Sequence, residues 1–127
     1  MTSDLKYHDA DRAAGLHPFC IVGTAGSVTT GAIDDLAGLA DVAARNGLWF
    51  HVDGAYGGWG VLDERVEAAY GDRGLYDSFA VDPHKWLFAP FDCAALLYRD
   101  PNLARAALTQ HAGYLETLAP TAPLNPS

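Results

Sequence analysis

Leu48-Trp49-Phe50-His51-Val52-Asp53 follows an Asn46-Gly47 pair and runs directly into Gly54-Ala55. Upstream of that pair, Leu36, Leu39, Ala40 and Ala43 recur at helical spacing behind Asp34, which has the chemistry of an N-cap. Gly47 suits the left-handed residue that closes such a helix. Further upstream, Phe19-Cys20-Ile21-Val22 is an unbroken apolar run, the mark of a strand covered on both faces. Strand, helix and strand in this length make a βαβ unit, so the two strands are expected to be parallel with a right-handed crossover. The fold class that follows is α/β.

The rest of the chain extends the same layer. Leu5 to Leu16 is polar with a weak helical pattern ending at Gly15, and His17-Pro18 is a break. Gly57-Gly58 opens a loop, Leu62 to Tyr70 can form a short helix, and Phe79 to Val81 reads as a third strand. Cys93 to Tyr98 reads as a fourth, and its short connection after Phe88 favours antiparallel pairing. Pro101 to Gln110 is expected to be helical with Pro101 in its first turn, and the proline-rich Leu118 to Ser127 to be irregular. No internal repeat or domain boundary interrupts this system.

Half of the 127 residues are hydrophobic and 19% are charged, enough to bury a core. A formal charge of −8 argues against nucleic-acid backbones and anionic membrane surfaces as partners. Cys20 and Cys93 lie far apart in apolar segments and read as small buried hydrophobes in a reducing compartment. No signal-peptide core and no membrane-length apolar run is present, so the expected setting is the cytoplasm.

Ligands of open α/β sheets bind beyond the carboxyl ends of the strands. Here those ends carry the small-residue loop Gly23-Thr24-Ala25-Gly26-Ser27, then Asp53, then Asp82-Pro83-His84-Lys85-Trp86. A lysine between His84 and Trp86, ahead of Leu87-Phe88, can be desolvated toward a free amine and attack carbonyl carbons. The competing reading is a snorkelling lysine whose stem covers an aromatic patch. Gly54 and Ala55 remove bulk where a flat ring could slide over the strand end. A phosphate-friendly loop, a carboxylate and an amine together suggest pyridoxal phosphate, with Lys85 on its aldehyde and Asp53 on its ring nitrogen. Alone, Asp53 could equally be a cap at a strand end.

His51-Val52-Asp53-Gly54-Ala55-Tyr56-Gly57-Gly58 together with Asp82-Pro83-His84-Lys85-Trp86 resembles the group II pyridoxal-phosphate decarboxylases, which include the aromatic-L-amino-acid, histidine and glutamate decarboxylases. Gly23 to Ser27, Gly31-Ala32-Ile33-Asp34 and Phe91-Asp92-Cys93 match in the family's order, from about Gly15 to Tyr114. The resemblance implies that Lys85 is the Schiff-base lysine, Asp53 the partner of the pyridinium nitrogen, and Ala55 a packing residue on one ring face. It puts His84 and Asp82 near the phosphate or the substrate carboxylate, with His84 a second catalytic residue. It makes Ser27 a site hydroxyl where members often have threonine, and Phe91 part of a substrate wall. Val28 departs from the hydroxyl-bearing residue common at its position.

The implied reaction is decarboxylation of an L-amino acid to its amine and carbon dioxide, in carboxylic acid metabolism. Aromatic substrates come first, with glutamate or diaminobutyrate behind. The implied fold is a partial type I aminotransferase-like large domain, with a mostly parallel sheet flanked by helices. Family members are several times longer, with an upstream phosphate loop and ring-stacking histidine, and a downstream mobile loop and small domain. Residues 1–127 are therefore expected to be a partial pyridoxal-phosphate-binding large domain, with an unpaired sheet edge. The family's homodimer, with its site at the subunit interface, is the expected working form, and a lone chain should have little or no activity.

Two other classes compete. A non-catalytic remnant would keep the motifs without turnover. A metal-dependent hydrolase would use His51 and Asp53, two apart on one strand face, with His84 as a third ligand; it leaves Lys85 without a role, and no metal is expected at the site.

Overall fold

A computed structural model describes residues 9–109. Its centre is a four-stranded sheet in which β1 (Cys20–Thr24), β2 (Trp49–Asp53), β3 (Ser78–Val81) and β4 (Ala95–Tyr98) lie side by side in chain order. The first three are parallel, and β4 returns antiparallel, Val81 facing Ala95. Helix α1 (Leu36–Asn46) connects β1 to β2, the single turn α2 (Pro83–Trp86) follows β3, and α3 (Pro101–Leu108) follows β4. The mixed α/β, mostly parallel class expected from the sequence is the one observed.

Helix α1 starts one residue later than its pattern suggests. Asp35 is the N-cap, its carboxylate accepting the Gly38 amide at 2.9 Å. Asp34 is consumed elsewhere: its carboxylate accepts the Thr24 amide at 2.7 Å and its own amide donates to the Thr24 carbonyl, tying the helix entry to β1. Gly47 closes the helix at φ 64°, as expected. Leu36, Leu39, Ala40 and Ala43 are buried against Phe50 and Val52 of β2. Gly23 allows this approach, since a Cβ there would lie 2.8 Å from the Leu36 side chain.

Between β2 and β3 the chain makes short 3-10 turns at Gly57–Leu62, Glu67–Tyr70 and Arg73–Leu75 instead of a helix over Leu62 to Tyr70. Leu62 and Val66 are exposed there, so no apolar stripe drives a longer helix. What anchors the segment is a pair of buried phenols. The Tyr76 hydroxyl donates to the Tyr70 carbonyl, and the Tyr70 hydroxyl donates to the Gly57 carbonyl. Burial disfavours both phenolates and pushes Tyr76 up to about 12.

The opposite face of the sheet is less covered. Val22 is 56% exposed, so β1 is covered on one face among the described residues, not on two. On this face buried Ser78 accepts the Trp49 indole N–H at 2.9 Å and lies 2.8 Å from His51 Nδ1. Helix α3, capped by Asp100, leaves an apolar groove of ≈450 Å3 against Phe19, Cys20, Trp49 and Tyr98. Its last residue is Leu108. Gln110, Lys6 and the proline-rich Leu118 to Ser127 lie outside the described residues.

Residues 9–13 are helical and Gly15 takes the left-handed cap at φ 80°, as expected. Cys20 and Cys93 are free thiols, both partly buried, and burial pushes the Cys20 thiol up. Among the described residues, no helix is long and apolar enough to cross a membrane.

Candidate cofactor site

Parallel register brings three strand ends level, since Thr24 is opposite Asp53 and Asp53 opposite Ala80. The loops leaving those ends hold one another. Gly26 and Gly57 meet back to back, the Gly57 amide donating to the Gly26 carbonyl at 3.1 Å. A Cβ on Gly57 would lie 2.5 Å from the Gly26 Cα, so both positions need glycine, and Gly26 also sits at φ 85°. The next contact joins the second loop to the third. Tyr56 packs edge-on against Trp86 with centroids 5.8 Å apart, and the Trp59 indole donates to the Asp82 carbonyl at 3.3 Å. The loops bearing Ser27, Asp53 with Ala55, and Asp82 with His84 and Lys85 thus form one connected rim.

Asp53 is exposed at the end of β2. One carboxylate oxygen accepts the Ala55 amide at 3.0 Å, an Asx turn that sets Ala55 beside it. The other oxygen makes no hydrogen bond among the described residues.

Lys85 departs from its sequence reading. Its Nζ lies 2.7 Å from Asp82 Oδ2, and its side chain is 36% exposed. It is half-exposed and paired with a carboxylate, not enclosed between two rings. Neighbours on a helical turn point about 100° apart, so sequence adjacency does not stack them. Trp86 turns to Tyr56, Lys85 to Asp82, and His84 to the backbone of Cys93. His84 Nδ1 lies 2.6 Å from the Cys93 carbonyl oxygen and 3.2 Å from its amide nitrogen, with Phe91 edge-on at 5.0 Å. Nδ1 is therefore committed to the backbone, and Nε2 is the nitrogen left for chemistry.

Two further expectations change. Ser27 Oγ is 2.7 Å from Thr30 Oγ1, so its hydroxyl is used within its own loop. The smallness of Gly54 serves internal packing, because a Cβ there would lie 2.5 Å from the Phe79 ring. The hydrolase reading also loses its geometry: among the described residues no three His, Cys, Asp or Glu side chains gather as ligands, and His51 and His84 face different partners. Sequence reasoning passed over Tyr56 and Trp59, which fasten the rim. Two large aromatics in a loop of small residues were the available signal.

A family model described as the pyridoxal-dependent decarboxylase conserved domain matches residues 3–122. The chain belongs to the pyridoxal-dependent decarboxylase family. It is 41% identical over 108 residues to tryptophan decarboxylase TDC1 of Camptotheca acuminata, covering 85% of this chain and 22% of that protein. It is 42% identical over 104 residues to the cysteine sulfinic acid decarboxylase of Mus musculus, covering 81% and 21%. The crystal structure of Oryza sativa TDC with PLP and tryptamine superposes with a TM-score of 0.81 at 32% identity, covering 94% of this chain and 25% of that one. The chain thus spans about a fifth of the length of the curated relatives it matches.

Membership of the pyridoxal-dependent decarboxylase family gives pyridoxal phosphate as the cofactor, and the rim's donor set fits that group. Lys85 would supply an amine for an aldehyde, the Asp53 carboxylate oxygen without a partner among the described residues would suit a protonated ring nitrogen, and Ala55 would offer a small apolar side chain next to it.

Proposed function

We propose that this protein decarboxylates an L-amino acid, an aromatic one first, to its amine and carbon dioxide with pyridoxal phosphate held on Lys85. The observation that carries the reading is the level edge of three parallel strands whose loops, bearing Ser27, Asp53 and Lys85, are fastened to one another. When bound, the cofactor supplies the electron sink that makes loss of carbon dioxide possible. The chain supplies positioning and charge. Lys85 Nζ anchors the aldehyde end, and the Asp53 carboxylate keeps a proton on the ring nitrogen by charge-assisted hydrogen bonding. Ala55 packs on one ring face. His84, oriented by Cys93, offers Nε2 toward an anionic group of cofactor or substrate, and Ser27 contributes its hydroxyl, shared with Thr30, at the loop.

The aromatic preference rests on the tryptophan decarboxylase likeness, and the similar identity to a cysteine sulfinic acid decarboxylase makes that preference the first thing to test. We read residues 1–127 as part of a larger cofactor-binding domain acting as a homodimer. Trp86, Leu87, Phe88 and Phe91, all exposed beside Lys85 in sequence, support a partner surface at the site. Free Cys20 and Cys93 support the cytoplasm as its compartment, and the acidic balance supports a small-molecule partner over nucleic acid or membrane.

Carbon dioxide release from carboxyl-labelled L-tryptophan, L-glutamate and L-cysteine sulfinate, with pyridoxal phosphate present, tests this. The expected result is a small release above the free-cofactor rate, as suits so partial a domain, greatest for tryptophan and lost in Lys85→Ala. Release at the free-cofactor rate from all three would contradict turnover by this chain and favour the remnant reading.

A further inference from the structure

Among the described residues, four aspartates stand at N-cap positions, and three of them cap. Asp35 accepts the Gly38 amide, Asp72 the Gly74 amide and Asp100 the Asn102 amide. Asp82, the N-cap residue of α2, makes no such bond. Its carboxylate goes instead to Lys85 Nζ at 2.7 Å, although its side chain is only 15% exposed. An N-cap aspartate ordinarily gains from its own helix's amides, so the diversion needs a reason. Its backbone is also held, since the Trp59 indole donates to the Asp82 carbonyl. Among the described residues, Lys85 is the charged partner of this mostly buried carboxylate, and a buried charge left alone is costly.

We infer that Asp82 is a positioning residue for Lys85: in the cofactor-free protein it holds the Nζ ammonium at the rim and restrains it from attacking carbonyl compounds. The inference rests on the reading of Lys85 as the cofactor lysine. It replaces the expectation that Asp82 faces the phosphate, since a carboxylate paired with Lys85 would repel that anion. Nζ can bond a carbonyl carbon only after leaving Asp82, so the pair sets how readily Lys85 reacts. Arg or Lys partners elsewhere do not compete for it: Arg65 pairs with Asp63, Arg73 with Glu67 and Arg99 with Asp77.

The test needs no cofactor. Lys6 is the only other lysine of the chain, which makes it an internal reference. The purified chain is methylated with formaldehyde and cyanoborohydride, digested, and the Lys85 to Lys6 labelling ratio is read by mass spectrometry. The ratio is expected to be about fivefold lower in native buffer than in urea, the rate equivalent of an ion pair worth about 1 kcal/mol. Asp82→Asn should restore the urea ratio, and Asp82→Glu should keep the native one. Equal ratios in buffer and urea would overturn the inference, as would an Asp82→Asn ratio equal to the parent's, which would assign the restraint to burial alone. If Asp82→Asn loses its cooperative melt, Asp82→Glu decides, and a urea-like ratio in that folded variant overturns the proposal. Failure of pyridoxal phosphate to label Lys85 while these ratios hold would instead remove the cofactor reading and leave the pairing intact.

Discussion

The ground under α1 and the rim beyond the strand ends are built by opposite means. Under α1, Leu36, Leu39, Ala40 and Ala43 close on Phe50 and Val52, and apolar burial does the holding. At the rim there is little apolar burial. Two glycines touch through their Cα atoms, an indole reaches a carbonyl, a phenol ring meets an indole edge, and one ion pair holds the lysine. The first region stores stability that does not depend on any one polar group. The second stores geometry, and small chemical changes there should move function with modest changes in folding.

The largest effect separating the two should come from the ground. Phe50→Ala removes a ring that is 1% exposed and should cost about 4 kcal/mol in urea unfolding. A loss under about 1 kcal/mol would mean that α1 is not the main clamp on the sheet. Next is Gly57→Ala, whose Cβ would fall 2.5 Å from the Gly26 Cα. Overpacking of this kind should cost about 3 kcal/mol and separate the first two rim loops, lowering cofactor trapping on Lys85 even where the chain stays folded. Unchanged trapping in a folded Gly57→Ala variant would break the claim that the rim is one unit.

A pH series sharpens the boundary between the regions. The Tyr76 phenol stays protonated in the fold to about 12, against an unfolded value near 10. The folded pKa is the higher, so this contribution is whole below pH 10 and is lost as the pH rises from 10 to 12. Denaturant midpoints should fall across that window by the equivalent of about 2 kcal/mol. Tyr76→Phe should flatten most of the fall, leaving the part that Tyr70 contributes. An identical fall in Tyr76→Phe would place the alkaline sensitivity elsewhere.

The smallest effect on folding belongs to Asp53→Asn. That carboxylate is exposed and, among the described residues, holds only the Ala55 amide, so stability should change by no more than about 0.5 kcal/mol. A loss above about 2 kcal/mol would make Asp53 a structural cap and weaken its claim to the cofactor.

The same division explains what the sequence disclosed. Period and glycine position reveal elements buried on one side, which is why Leu36 to Ala43, Gly47, and the parallel strands around Phe50 and Phe79 were legible. The choice of Asp35 over Asp34 was not, because it turns on which carboxylate meets the Thr24 amide from β1. At the rim, residue types were legible and directions were not. His84, Lys85 and Trp86 are adjacent in sequence, yet one helical turn sends them to three different partners. Gly54 was legible as a need for smallness, but the Phe79 ring that imposes it comes from another strand.

The most direct trial of the central claim, that Lys85 and Asp53 belong to one cofactor site, is to mix the chain with pyridoxal phosphate. Borohydride reduction then fixes the adduct, and mass spectrometry maps it. The account predicts labelling of Lys85 over Lys6, with half-saturation shifted about tenfold higher in Asp53→Asn, the loss of about 1.4 kcal/mol of binding. Labelling of Lys85 no better than in a denatured control, or unaffected by Asp53→Asn, would contradict it.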